Sequence, residues 1–145
     1  MRVSEIGILD LNGVLELPLA TVRIPCGTGF PSPADDYFEE RLDLNKHLIK
    51  HPAATYYARA EGDSMTVAGI YPDDILIVDK AIEEVNGKII VAWINGGFTV
   101  KRYHVDGRLG KIYLVPENPE YYPHEITPEM DFMIWGVVTY NIHRL

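Results

Sequence analysis

The sequence predicts a mostly β protein: a compact, twisted, antiparallel β domain preceded by an extended N-terminal arm and short peripheral helices. Three observations predict it. Short apolar runs bounded by turn residues recur in the C-terminal part: Ile75-Leu76-Ile77-Val78, Ile89-Ile90-Val91-Ala92-Trp93-Ile94 and Ile112-Tyr113-Leu114-Val115. Their length and β-branched content suit buried strands. Asn95-Gly96 follows one of these runs, and a type I′ hairpin turn needs positive φ at both central residues, which this pair tolerates. Residues 1–31, by contrast, show little periodicity and carry Pro18, Pro25, Gly27, Gly29 and Pro31, as an extended arm does.

The elements follow in order. After the arm, residues 32–54 read as a short helical connector. Ser32 can cap a helix with Pro33 at its first position and Asp35 and Asp36 in its first turn. Phe38 and Leu42 then fall four apart on one face. Asp43 caps a second short turn, Leu44 to Ile49, that stops at His51-Pro52. Residues 55–145 form the β-rich domain. Its first strand covers Tyr56–Ala60, and Asn95-Gly96 joins the strand ending at Ile94 to one over Phe98–Val105. Asp106-Gly107 turns the chain toward Lys111–Val115. A last strand spans Phe132–His143, with Gly136 marking a bend or bulge. No internal repeat interrupts this pattern.

Composition removes several function classes. At 145 residues the chain is the size of one domain and can bury a core without disulfides or metal. Apolar residues make up 47% and charged residues 23%, ordinary for a soluble globular protein. The single cysteine, Cys26, forbids an internal disulfide and suits a reducing cytoplasm. The first 20 residues lack the basic start and continuous apolar run of a signal peptide. No apolar stretch approaches the roughly 20 residues that span a bilayer, so a cytoplasmic protein without membrane contact is expected. The formal charge of −8, from 21 acids against 13 bases, argues against direct DNA binding, which needs a basic face. Lys101-Arg102 and His143-Arg144 are only isolated basic pairs.

Few residues can carry chemistry. Ser64 sits in Glu61-Gly62-Asp63-Ser64-Met65, just past a predicted strand. Beside glycine its oxygen can be held exposed while neighbouring backbone N–H groups face an oxyanion; taken alone, a serine there reads first as an ordinary turn residue. Lys101 lies mid-strand, sharing a face with Thr99 and Tyr103 while Phe98 and Val100 share the other. A mid-strand lysine is commonly solvated. In apolar surroundings, however, desolvation lowers its pKa, and the neutral amine can take a proton from a serine hydroxyl, a poor nucleophile without a base. The histidines at 47, 51, 104, 124 and 143 lack metal-site spacing, and His47/His51 lack the glutamate of a zincin helix. Gly27-Thr28-Gly29 does not fit a phosphate loop. No cofactor and no metal are expected. The pairs Tyr56-Tyr57 and Tyr121-Tyr122 suit a core or an interface. Asp63 has no histidine fixed beside it for a triad, and Cys26, between Pro25 and Gly27, looks more like part of a substrate loop than a nucleophile.

The chain resembles the UmuD proteins of the bacterial SOS response and, more broadly, the self-cleaving domain of LexA-type repressors. The resemblance rests on Phe30-Pro31-Ser32-Pro33-Ala34-Asp35-Asp36-Tyr37, Leu42-Asp43-Leu44-Asn45 and His51-Pro52-Ala53-Ala54-Thr55-Tyr56. It continues through Gly62-Asp63-Ser64-Met65, Asp74-Ile75-Leu76-Ile77-Val78-Asp79, Phe98-Thr99-Val100-Lys101 and Gly136-Val137-Val138, covering about residues 14 to 142. It implies Ser64 as nucleophile and Lys101 as general base, a variant of triad logic without histidine, with Gly62, Asp63 and Met65 supporting the loop and oxyanion. It implies that residues 1–31 are a cleavable arm, cut at Cys26-Gly27. In the family the cleavage glycine usually runs straight into Phe-Pro-Ser-Pro. Matching on Gly-Phe-Pro would place the cut at Thr28-Gly29 instead, but a β-branched threonine fits a close-approach site less readily. It further implies stimulation by the RecA filament on single-stranded DNA. The truncated homodimer would then serve a Y-family polymerase subunit (UmuC-like) in error-prone lesion bypass. LexA-like repression is disfavoured, since the roughly 50 residues before the β domain hold no recognisable helix-turn-helix. Two alternatives remain: a non-cleaving module with the same fold that only binds partners, and a protease acting on other proteins.

Overall fold

The computed structural model describes residues 2–8, 15–19, 26–27 and 40–145. Their contacts divide the chain into two compact units, Met1–Leu9 with His51–Leu145, and Asp10–Lys50.

The larger unit is built on one eight-stranded sheet. Its strands are β1 (Arg2–Ile8), β4 (Thr55–Glu61), β5 (Ile75–Asp79), β6 (Ile89–Ile94), β7 (Gly97–Asp106), β8 (Lys111–Val115), β9 (His124–Ile126) and β10 (Phe132–Ile142). The order is β1-β4-β5-β10-β6-β7-β8-β9, every neighbouring pair antiparallel. The expected fold class is borne out. β1 also contacts β7, so the sheet curls on itself. Residues 2–8, read from sequence as part of the arm, are thus a strand, paired from Arg2↔Glu61 to Ile8↔Tyr56. Their alternation is too short and polar to signal a strand alone; the partner edge of β4 supplies the hydrogen bonds.

The turns obey local chemistry. Asn95 and Gly96 both take positive φ, 46° and 91°, and pair Ile94 with Gly97 as the I′ turn requires. The Asp106 turn is longer than expected: Gly107 to Gly110 lie between the strands, Gly110 takes the positive φ, and Asp106 Oδ1 accepts the N–H groups of Arg108 and Leu109. At Gly136 the register of β10 shifts, as anticipated for a bulge. Residue 136 has φ 154°, and a Cβ there would lie 2.7 Å from Val78 Cγ1, so only glycine fits. The bulge lets β10 serve β6 through Phe132–Val137 and β5 through Val137–Ile142.

Two apolar clusters fill the larger unit. One gathers Tyr56, Ala58, Met65, Leu76, Val78, Val91 and Val100, with Val3 of β1 packed against it. The other gathers Ile90, Ala92, Tyr103, Leu114 and Val137.

The smaller unit holds β2 (Glu16–Leu19) paired with β3 (Glu40–Asp43), then helix α1 (Leu44–Leu48). Asp43 caps α1 as expected, its carboxylate accepting the Asn45 N–H at 3.0 Å. Leu42, expected on a helix face with Phe38, instead lies in β3 opposite Leu17. One i,i+4 pair adds only about 0.2–0.5 kcal/mol to a helix, less than a strand partner supplies. The expected helix start at Ser32-Pro33 and the residue Phe38 lie outside the described residues. Among the described residues no helix is long and apolar enough to cross a membrane, and no group of three or more histidine, cysteine, aspartate or glutamate side chains could hold a metal ion.

Candidate active site

Ser64 follows β4 through a tight reversal. Gly62, at φ 89°, turns the chain away from the strand, and Asp63 leads into Ser64, which is fully buried. Met65, equally buried, anchors the loop in the first apolar cluster, and its carbonyl accepts the N–H groups of Ala68 and Ile70.

Lys101 comes from the middle of β7, opposite Ile90 of β6. Strand alternation sends Val100 into the cluster that contains Met65 and sends Thr99 and Lys101 to the other face. The lysine Nζ lies 2.9 Å from Ser64 Oγ, 3.0 Å from Thr99 Oγ1 and 3.2 Å from the Val100 carbonyl oxygen. All three partners are uncharged. Burial pushes the Lys101 amine below its ordinary value, because removing an ammonium from water disfavours the charged form. The arrangement would also orient the amine once it has lost its proton. The Val100 carbonyl can only accept and Thr99 Oγ1 can accept a second N–H, so the lone pair is left facing the serine hydroxyl. Ser64 and Lys101, paired from sequence only through the family resemblance, meet within hydrogen-bond distance.

A cleft of about 340 Å³ opens beside the amine, lined by Ile94, Asn95, Thr99, Lys101, Leu114 and His124. Its walls are mainly apolar, so a peptide lying there would exclude water from the lysine.

Asp63 has a role that residue type alone did not suggest. Its carboxylate accepts the Tyr121 hydroxyl and its carbonyl accepts Asn118 Nδ2 at 2.9 Å. The bond to Asp63 pushes the Tyr121 hydroxyl above its ordinary value. It is a loop tie, with no histidine partner. Of the other tyrosines weighed from sequence, Tyr56 is buried and its hydroxyl reaches the Trp135 carbonyl at 3.3 Å, burial pushing it up to about 12.

Two histidines pair with buried aspartates instead of forming a site: His51 Nδ1 lies 2.6 Å from Asp79 Oδ2, and His143 Nδ1 contacts Asp74 Oδ1. Neither pairing was visible in the sequence, since the partners are far apart along the chain and carry no motif.

In the smaller unit Cys26 is exposed, and a Cβ on Gly27 would meet nothing within 4 Å. Thr28 and Gly29, the other register, lie outside the described residues.

The chain is similar in sequence to known proteins. A family model described as Peptidase S24-like matches residues 20–139. Protein SamA of Salmonella typhimurium is 46% identical over 127 residues, 88% of this chain and 85% of that protein. Protein ImpA of Escherichia coli is 46% identical over 119 residues, 82% of this chain and 79% of that protein. Protein MucA of Escherichia coli is 38% identical over 143 residues, 98% and 94% of the two chains. The UmuD-type resemblance read from the motifs is borne out by these relatives.

Proposed function

Because this chain belongs to the Peptidase S24-like family, self-cleaving serine peptidases whose UmuD-like members belong to SOS mutagenesis, we propose that Ser64 and Lys101 cut the chain's own Cys26–Gly27 bond. The observation that carries the reading is the half-buried Lys101 amine 2.9 Å from Ser64 Oγ, with uncharged hydrogen-bond partners among the described residues and a pKa lowered by burial.

The chemistry balances with these residues alone. Neutral Lys101 takes the Ser64 hydroxyl proton as Oγ attacks the Cys26 carbonyl carbon. Backbone N–H groups of the Gly62–Met65 turn stabilise the resulting oxyanion. The tetrahedral intermediate collapses as the lysine ammonium gives its proton to the Gly27 nitrogen, freeing the new Gly27 amine while residues 1–26 stay esterified to Ser64. A water, deprotonated by the same amine, hydrolyses the ester left between Ser64 and Cys26. The products end at residue 26 and begin at residue 27.

The remainder of the function follows the family. The truncated chain acts as a homodimer, accessory to an error-prone Y-family polymerase subunit. Cutting is stimulated by the RecA filament on single-stranded DNA, and the protein works in the cytoplasm. The net charge of −8 supports protein partners over direct DNA contact.

The deciding experiment incubates the purified chain across pH 7 to 11, with and without RecA filament, and weighs the products. Fragments 1–26 and 27–145 are expected, appearing faster as pH rises, and absent in Ser64→Ala. An intact chain at pH 10 under both conditions would sink the proposal, and fragments cut at Thr28-Gly29 would move the bond without changing the chemistry.

A further inference from the structure

Ser64 sits on a loop and Lys101 on a strand, so their 2.9 Å separation depends on whatever holds the loop. The main chain of Glu117 does so on both sides of the serine. Its N–H donates to the Ser64 carbonyl at 2.8 Å, and its own carbonyl accepts the Val67 N–H at 2.8 Å. One residue further on, Asn118 Nδ2 donates to the Asp63 carbonyl at 2.9 Å. The amide cannot be turned the other way, because Asn118 Oδ1 already accepts the Glu120 N–H at 2.9 Å. Tyr121 donates its N–H to the Asn118 carbonyl at 3.1 Å and its hydroxyl to the Asp63 carboxylate.

The same segment is tied to the strand of the base. The Glu117 carboxylate accepts Arg102 Nε, and Arg102 Nη1 reaches the Gly87 carbonyl at 2.7 Å. Arg102 follows Lys101 in β7 and so projects from the opposite face. A continuous path therefore runs from the strand of Lys101 through Arg102 and Glu117 to the backbone of Ser64.

We propose that the segment 117–121 positions the nucleophile, with Glu117 and Asn118 setting the Ser64 loop against the β7 strand; this rests on the self-cleaving reading above. Neither residue is catalytic. Both act through the placement of Ser64, and a misplacement of about 1 Å can cost 10²-fold in rate.

The test uses the full-length chain and two rates: self-cleavage at alkaline pH, and labelling of Ser64 by a small fluorophosphonate, which needs the Ser64–Lys101 alignment but not the arm. Asn118→Ala and Glu117→Ala should lower both rates about tenfold or more. The pH midpoint should stay put, since the surroundings of Lys101 are untouched. Glu117→Gln, which can still accept from Arg102, should recover most of the rate. Lys111→Gln, removing the exposed pair with Glu125 elsewhere on the same sheet, should match the parent. Should Asn118→Ala melt below the assay temperature, Asn118→Ser, which keeps a short polar group, carries the comparison. The proposal is overturned if the alanine variants label and cut at the parent rate, or if their losses equal only the unfolded fraction seen in melting. A parent that takes the label without cutting counts against the self-cleavage reading alone, and the label rates still decide the role of the segment. A parent that does neither removes both.

Discussion

The two sides of the curled sheet treat buried charge in opposite ways. On the β4-β5-β10 side, the carboxylates of Asp74 and Asp79 are only 2% and 4% exposed, yet each is surrounded by donors. Asp74 accepts the Tyr71 N–H, Asn141 Nδ2 and His143 Nδ1; Asp79 accepts the Ala81 N–H and His51 Nδ1. For Asp74, burial opposes the charge, but the bonds from Tyr71, His143 and Asn141 outweigh it and hold the carboxyl below its ordinary value. On the β7 side, Lys101 is half-buried, its amine set among a hydroxyl pair and one carbonyl, with no anion among its hydrogen-bond partners in the described residues. The first arrangement fixes a charge in place, and the second makes a charge easy to lose. The charge of the neighbours separates a structural ion from a chemical one.

The largest expected effect comes from Lys101→Arg. Arginine keeps a positive group on β7 but cannot be deprotonated in a protein. Self-cleavage should fall about 10⁴-fold or more and stay low even at pH 11. Cutting by this variant at the parent rate, followed by mass spectrometry, would mean the amine is not the base. Next comes Gly136→Ala, at the point where β10 passes from one side of the sheet to the other. A methyl there meets Val78 Cγ1 at 2.7 Å and the Asp79 carbonyl oxygen at 3.2 Å in a backbone conformation that alanine resists. A loss of about 3 kcal/mol is expected in urea unfolding; a loss under 1 kcal/mol would show that the bulge can relax.

Thr99→Asp sharpens the contrast directly by giving Lys101 the kind of neighbour that Asp74 and Asp79 give their histidines. An adjacent carboxylate favours the ammonium and should raise the lysine pKa by about one unit or more. The alkaline rise in self-cleavage should move up accordingly, leaving the rate at pH 8 about tenfold lower while the plateau at high pH is preserved. A profile that keeps its midpoint would show that the neutral surroundings of Lys101 do not set its proton affinity.

Much of this was legible because it is local. The I′ turn at Asn95-Gly96, the Asp43 cap and the bulge at Gly136 each follow from backbone preferences within a few residues. Ser64 and Lys101 were also singled out, but residue chemistry alone favoured an ordinary reading of each; the family resemblance joined them. What could not be read is long-range. Strand β1 depends on the edge of β4 and not on its own pattern. Leu42 answers to Leu17 across a sheet instead of Phe38 along a helix. Glu117 and Asn118 carry no motif, and only the fold brings them to Ser64.

The smallest expected effect tests the charge-fixing side. In Asp74→Asn the buried group loses its charge and one acceptor, and bonds from Tyr71, Asn141 and His143 weaken or face an N–H₂ group instead. Hydrogen bonds to a charged group contribute about 1.5–3 kcal/mol, and partial replacement by the amide brings the expected loss at pH 7 to about 1.5 kcal/mol. The pH dependence gives the sign. Asp74 is held below the ordinary 3.8 in the folded chain, so its contribution is complete above that value and is lost as pH falls through the folded pKa. The gap between parent and variant in urea unfolding should therefore be constant from pH 7 to about 5 and close below pH 4. A gap that stays open in acid would assign the loss to shape and packing, and the charge of Asp74 would then contribute nothing that a neutral amide does not.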